Sequence, residues 1–268
     1  MRSGVAGGDP APNSCASAIL RFDGATERPL TVLQGTSNEI IASAVPSSDG
    51  TRLVYGAEGC TDYFDWHLVV RDLQNGSEHT LGADAPTCHS LSVPSWSPDG
   101  TDLVFTWGPS PLAPDARPMT AGTCVPPLAG EVAVVPADQP GAPTSAEMRA
   151  ATPGCGYVAA IYDHWGVAAV ETCGDNGLAA ASFVQLNPHL DPILQIALPP
   201  HADGVTLDAD PSGSMVVIDE YQAPDSVAKT PSTEWLEVFD GHSLRTVVKD
   251  QTGVDSLAFA TWCGSVCP

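Results

Sequence analysis

The chain has 268 residues, 43% of them apolar, and a formal net charge of −22 from 10 Lys and Arg against 32 Asp and Glu. Length and apolar share suffice for one domain with a full core, and no run of about 18 apolar residues offers a membrane-crossing helix. The negative charge would repel phosphate backbones, which argues against a nucleic-acid partner, and its spread along the chain fits solubility and protection of sheet edges.

Residues 1–14 are too polar for a signal peptide and read as a disordered linker or expression remnant, leaving 15–268 as a single domain. Alternating apolar patterns predict strands over 18–23 and 29–33, then a hairpin around Ser47-Ser-Asp-Gly-Thr-Arg-Leu-Val-Tyr55, then a strand over 67–72. The clearest hairpin is Pro94-Ser-Trp-Ser-Pro-Asp-Gly-Thr-Asp-Leu-Val-Phe105. Pro98 presets one turn dihedral and Gly100 tolerates the positive φ that other residues avoid. Further strands are expected over 131–135, 181–186, 235–240 and 244–249, with partial hairpin echoes at Asp163–Val170 and Asp210–Ile218. Ser256-Leu-Ala-Phe-Ala-Thr-Trp262 matches Ser90-Leu-Ser-Val-Pro-Ser-Trp96 and then stops.

The two best hairpins are offset by 50 positions. A β-rich repeat of that period points to a propeller or solenoid. The N-terminus carries only the last two strands of a unit and the C-terminus a spare first strand, as a ring closed between the termini needs. The expected fold is therefore all-β: a five-bladed β-propeller of four-stranded antiparallel blades, its closing blade shared between the N- and C-termini. The second strand of that composite blade is supplied clearly by neither terminus. The motif Pro-x-Trp-Ser-Pro-Asp-Gly-x-x-Leu-x-Phe resembles the TolB-type, WD-repeat-like β-propeller repeat. That resemblance implies a binding platform and no particular partner.

Eight cysteines stand at Cys15, Cys60, Cys88, Cys124, Cys155, Cys173, Cys263 and Cys267, with no Cys-x-x-Cys pair to suggest zinc. An even count predicts disulfides and a secreted or extracytoplasmic setting, or the ectodomain of a membrane-anchored protein. Repeat register puts Cys60, Cys88, Cys124, Cys155 and Cys173 on one face. Cys155 and Cys173 bracket adjacent strands of the third unit, so their pairing is favoured. Cys15 with Cys263 or Cys267 would lock the composite blade.

The same face carries long connections at 58–66, 108–130 and 220–233. Tyr63, Trp66, Arg117 and Tyr221 are the expected anchors for a protein, small-molecule or glycan ligand, since aromatic residues and Arg dominate interface energetics. Register also sets Glu39, His89, Asp203 and Asp255 around the channel mouth, a second candidate binding site.

Asp208-Ala-Asp-Pro-Ser-Gly213, with Asp219 eleven residues after Asp208, imitates a calcium loop, but it aligns with a hairpin turn, which explains it better. No nucleophile elbow, phosphate loop or metal-spaced histidine pair is present, and no cofactor or metal is implied. The expectation is a non-enzymatic binding or sensor module. The alternatives are a glycoside hydrolase using the funnel carboxylates, and a calcium-dependent lectin-like module.

Overall fold

The computed structural model describes residues 15–16, 18–22, 29–34, 38–59, 62–81, 94–107, 130–141, 143–144, 147–173, 180–198, 204–210, 212–222 and 233–250. Among them no helix is long and apolar enough to cross a membrane.

Four antiparallel sheets follow one another along the chain. Blade one holds β4 (Asn38–Pro46), β5 (Arg52–Gly59), β6 (Asp62–Asp72) and β7 (Glu78–Leu81), with β1 (Cys15–Ala16) added in parallel beside β4. Blade two holds β8 (Ser95–Trp96), β9 (Asp102–Trp107), β10 (Glu131–Pro136) and β11 (Met148–Arg149). Blade three holds β12 (Cys155–Asp163), β13 (Gly166–Cys173), β14 (Ala180–Leu186) and β15 (Pro192–Ala197). Blade four holds β16 (Gly204–Ala209), β17 (Val216–Gln222), β18 (Thr233–Phe239) and β19 (Leu244–Asp250). A separate hairpin joins β2 (Ala18–Phe22) to β3 (Pro29–Gln34). These are the two strands expected from the N-terminus for a composite blade. The remainder of that blade, at 251–268, lies outside the described residues, and a count of five fits what is seen.

Successive strand residues face opposite sides of a sheet, and where both sets are apolar, as in blades one to three, the blade packs on both sides. Leu103, Phe105 and Trp107 of β9 pack on Val54, Leu68 and Val70 of blade one. Val104 and Val132 pack the other way, on Val167, Ala169 and Val184 of blade three. Ala168, Val170 and Phe183 of blade three meet Val216, Ile218 and Phe239 of blade four. Leu53, Tyr55 and Ala57 turn toward Leu33 of the N-terminal hairpin. Consecutive stacking through two-faced sheets is the architecture of a β-propeller.

The repeated turns are built alike. Asp49 accepts from the Ser47 hydroxyl at 2.7 Å and from the Thr51 amide at 2.9 Å. Asp99 does the same with Ser97 at 2.7 Å and Thr101 at 3.0 Å. Hydrogen bonds from these serines, then from the threonines, hold both Asp carboxyls down to about 2. Gly50 and Gly100 take φ of 69° and 72°, which their shared turn requires. In blade four the two side chains exchange places: Asp210 stands where Ser47 and Ser97 do, accepting from the Met215 amide at 2.7 Å, and from the hydroxyl of Ser212, at the Asp position, at 2.5 Å. The calcium-like spacing there thus belongs to a turn.

Candidate functional site

In blade four the apolar run Val216-Val217-Ile218 is followed, still in strand, by Asp219 and Glu220. Alternation sends these two carboxyls to opposite faces of the sheet. The ladder pairs Ile218 with Glu237, Asp219 with Leu236, Glu220 with Trp235 and Tyr221 with Glu234. Asp219 and Glu234 therefore share one face, and Glu220, Trp235 and Glu237 share the other, which looks toward blade three beside Val216 and Ile218. Two carboxyl pairs thus straddle one sheet at the end where β17 and β18 leave for their connection.

The pairs differ in access. Glu220 is 0% exposed, and neither of its carboxyl oxygens has a hydrogen-bond partner. Burial, then the neighbouring Glu237 and Asp219 charges, push it up to about 8. Glu237 is buried as well; its Oε1 accepts from the Thr246 hydroxyl at 2.9 Å and its Oε2 has no partner. Asp219 is half-buried. Burial first, then the Glu234 charge and a hydrogen bond to Glu234, raise its carboxyl to about 6. Ionised carboxylates only accept, so a hydrogen bond between Asp219 and Glu234 requires a proton on one of them. Environments that separate the acidities of close carboxyls equip a site for proton transfer near neutral pH. Of the two pairs, only the one containing Asp219 has a member that reaches solvent.

The residues expected from sequence are distributed more widely. Cys155 and Cys173 are joined by a disulfide with Cα atoms 4.1 Å apart, directly across the β12–β13 ladder. The backbone of Tyr63 and Trp66 lies in β6, that of Tyr221 in β17 opposite Glu234, that of Glu39 in β4 and that of Cys15 in β1; their side chains lie outside the described residues. Arg117, His89, Asp203, Asp255, Cys60, Cys88, Cys124, Cys263 and Cys267 lie outside them altogether. Glu234 and Glu237 belong to no site expected from sequence; Asp219 enters there only as the distal acid of the calcium-like spacing from Asp208, and Glu220 as the start of an expected loop. The signal was there: four acids within strand patterns, where half-buried sheets favour apolar residues.

No protein-family model matches the chain, and neither does any curated protein. Solved structures do. An oligogalacturonate lyase in complex with manganese aligns with a TM-score of 0.56 at 18% identity, covering 90% of this chain and 62% of that one. An oligogalacturonate lyase from Vibrio parahaemolyticus gives 0.55 at 19%, with the same coverage of 90% and 62%. Prolyl oligopeptidase B from Galerina marginata gives 0.55 at 10%, covering 90% of this chain and 31% of that one. The likeness is one of fold, and this chain spans less than two thirds of the length of the lyases it matches.

The expectation of a non-enzyme is overturned here. The lyases are enzymes on the same ring of blades, so the fold that suggested a passive platform also serves catalysis. The motif reading went astray because a repeat that builds turns and cores reports packing and carries no chemistry of its own. The first lyase was solved with manganese. Among the described residues of this chain, the one grouping of three metal-ligand side chains is Cys155, Glu171 and Cys173, and its two sulfurs are bonded to each other. That set does not fit a resident divalent cation.

Proposed function

We propose that this chain is an extracytoplasmic propeller enzyme that cleaves a neutral saccharide, with Asp219 as the proton-transferring group and Glu234 as the residue that tunes it. One observation carries the reading: Asp219 is half-buried, hydrogen-bonded to a second carboxyl and raised to about 6, so that it both holds and releases a proton near physiological pH. Protonated Asp219 donates to the glycosidic oxygen as its bond to the anomeric carbon breaks, a solvent water adds to that carbon and its surplus proton returns to the Asp219 carboxylate, while Glu234 keeps the proton available by disfavouring a second negative charge beside it. The lyases of similar fold lend support for saccharide chemistry. Their substrate, by its name a chain of uronic acids, does not transfer: a protein with net charge −22 repels a polyanion. The Pro94–Phe105 repeat supports a scaffold of TolB type, and the Cys155–Cys173 disulfide supports an oxidising compartment. Tyr63, Trp66, Arg117 and Tyr221 are the proposed substrate contacts on the loop face.

The test is a reducing-end assay of the purified chain on neutral and uronic oligosaccharides. Turnover on neutral chains, reduced about 10²–10⁴-fold by Asp219→Asn, supports the reading. Activity on polyuronates alone, or activity indifferent to Asp219→Asn, overturns it.

A further inference from the structure

Glu171 is a buried carboxylate that the blade-four chemistry does not use. It is 3% exposed and stands on β13 one row from Cys173, whose partner across the ladder is Cys155. Alternation puts Cys155, Tyr157, Glu171 and Cys173 on one face of blade three, the face that packs on Val104 and Val132 of blade two. Neither of the ion pairs among the described residues includes Glu171, and the Arg149 side chain is hydrogen-bonded to the Tyr157 phenol instead.

A carboxylate oxygen of Glu171 and the two sulfurs lie within 4.8 Å of one another. A tetrahedral zinc ion, with Zn–S of about 2.3 Å and Zn–O of about 2.0–2.2 Å, holds such ligands roughly 3.5–3.8 Å apart. The spacing therefore suits a shared cation once the S–S bond is open. Cys155 and Cys173 have Cα atoms 4.1 Å apart, the close approach of a non-hydrogen-bonded pair, and their ladder continues from Gly156–Thr172 to Asp163–Gly166. Strand pairing thus keeps the two residues opposite each other without the bond.

Glu171 is held independently of the sulfurs. Its Oε1 accepts from the Thr152 amide at 2.6 Å and its Oε2 from the Gln195 side chain at 3.2 Å. A carboxylate has about four acceptor positions, so each oxygen keeps one for a cation, and donors of this kind orient a ligating carboxylate. Cys155 borders a cavity of about 340 Å³ together with Met148, Thr152, Pro153 and Gly154, which provides entry and room for water beside the sulfurs.

We propose that the Cys155–Cys173 disulfide is the closed form of a metal site. Once it is reduced, the two thiolates and Glu171 bind one thiophilic divalent cation of the zinc class, with water in the fourth position. A dithiol reductant supplies two electrons and two protons, opens the S–S bond to two thiols and itself becomes a disulfide. The cation then displaces both thiol protons to solvent as it binds. Two thiolates favour a soft or borderline ion over magnesium, calcium or manganese. The net charge of −22 draws cations to the molecule. Disulfide and cation are thus alternative staples of one hairpin, and the site rests on neither Asp219 nor Glu234.

Peptide mapping of cysteine alkylation tests it on the intact chain, reduced with a phosphine that is then removed without air. The expected result is that zinc shields Cys155 and Cys173 together, while magnesium and manganese shield neither. Loss of an outer-shell partner alone costs about 10–100-fold in metal affinity, so Glu171→Gln, which keeps the size of the side chain, should raise the half-shielding zinc concentration at least about tenfold. Glu147→Gln, outside the set, should leave it unchanged. Should the reduced chain lose its far-UV spectrum, Cys173→His decides, with the other cysteines left oxidised. That variant leaves Cys155 as a thiol beside an imidazole and Glu171, so zinc should shield Cys155, again less readily when Glu171→Gln is added. No shielding by zinc, shielding by magnesium as good as by zinc, or shielding indifferent to Glu171→Gln overturns the proposal.

Discussion

The guanidinium of Arg52 lies 5.0 Å from the centre of the Trp96 ring, and the same side chain donates to the Gly100 carbonyl. Arg52 belongs to the repeated turn of blade one, and Trp96 and Gly100 to that of blade two. The Trp96 indole N–H completes the link by donating to the Val45 carbonyl at 2.9 Å, and the Ser48 hydroxyl reaches the Pro98 carbonyl at 3.2 Å. The turns of consecutive repeats thus interlock side by side.

Arg52→Ala removes the cation–π contact and a charge-assisted hydrogen bond, at a cost of about 1–2 kcal/mol. In a domain of this size that lowers Tm by roughly 3–6 °C. A double-mutant cycle with Trp96→Leu, read by thermal melts, should return a coupling energy well above experimental error.

Glu220 gives the fold a dependence on pH opposite to that of ordinary acid denaturation. Its carboxyl moves from 4.5 to about 8 on folding, chiefly through burial. Between those values the folded chain keeps a proton that the unfolded chain has lost, so rising pH favours unfolding. Asp219, raised to about 6, adds in the same direction. Denaturant midpoints should fall steadily from about pH 5 to pH 8. Glu220→Gln should flatten that slope and exceed the parent by roughly 2–4 kcal/mol at the alkaline end.

The Asp219–Glu234 pair makes a kinetic prediction. With Asp219 as proton donor, kcat/KM on a neutral saccharide declines above about pH 6, following its raised acidity. Glu234→Gln takes away a like charge, so this limb should move toward lower pH. A limb that stays in place would assign the titration to another group.

The Cys155–Cys173 bond closes a loop with a sequence separation of 18. Chain entropy assigns such a loop about 3 kcal/mol. Replacing both cysteines by Ala should lower Tm by roughly 6–12 °C, measured with the other cysteines left oxidised.

The blades were legible because turn chemistry and alternation are local: Asp49 and Asp99 sit in matching hydrogen bonds, and β10, β14, β18 and β19 begin and end within two residues of their expected limits. The Cys155–Cys173 pair was legible for the same reason, since register alone sets the two residues opposite each other. The carboxyl site was not. Asp219 and Glu220 are neighbours in sequence but lie on opposite faces of the sheet, and their partners arrive 15 and 17 residues later, across a ladder whose register the sequence does not state. What distinguishes Glu220 and Glu237 is a burial that leaves three of their carboxyl oxygens without a hydrogen-bond partner among the described residues, a property of the stacked blades.

The disulfide of blade three runs between neighbouring strands of one sheet and joins no blade to the next. Under tension it is therefore a stop within a single hairpin: it removes about 60 Å from the length the chain can pay out and does not itself tie blade three to blade two or blade four. Pulled from its ends, blade three would pay out β14 and β15 but not the hairpin of β12 and β13 until the sulfurs are reduced.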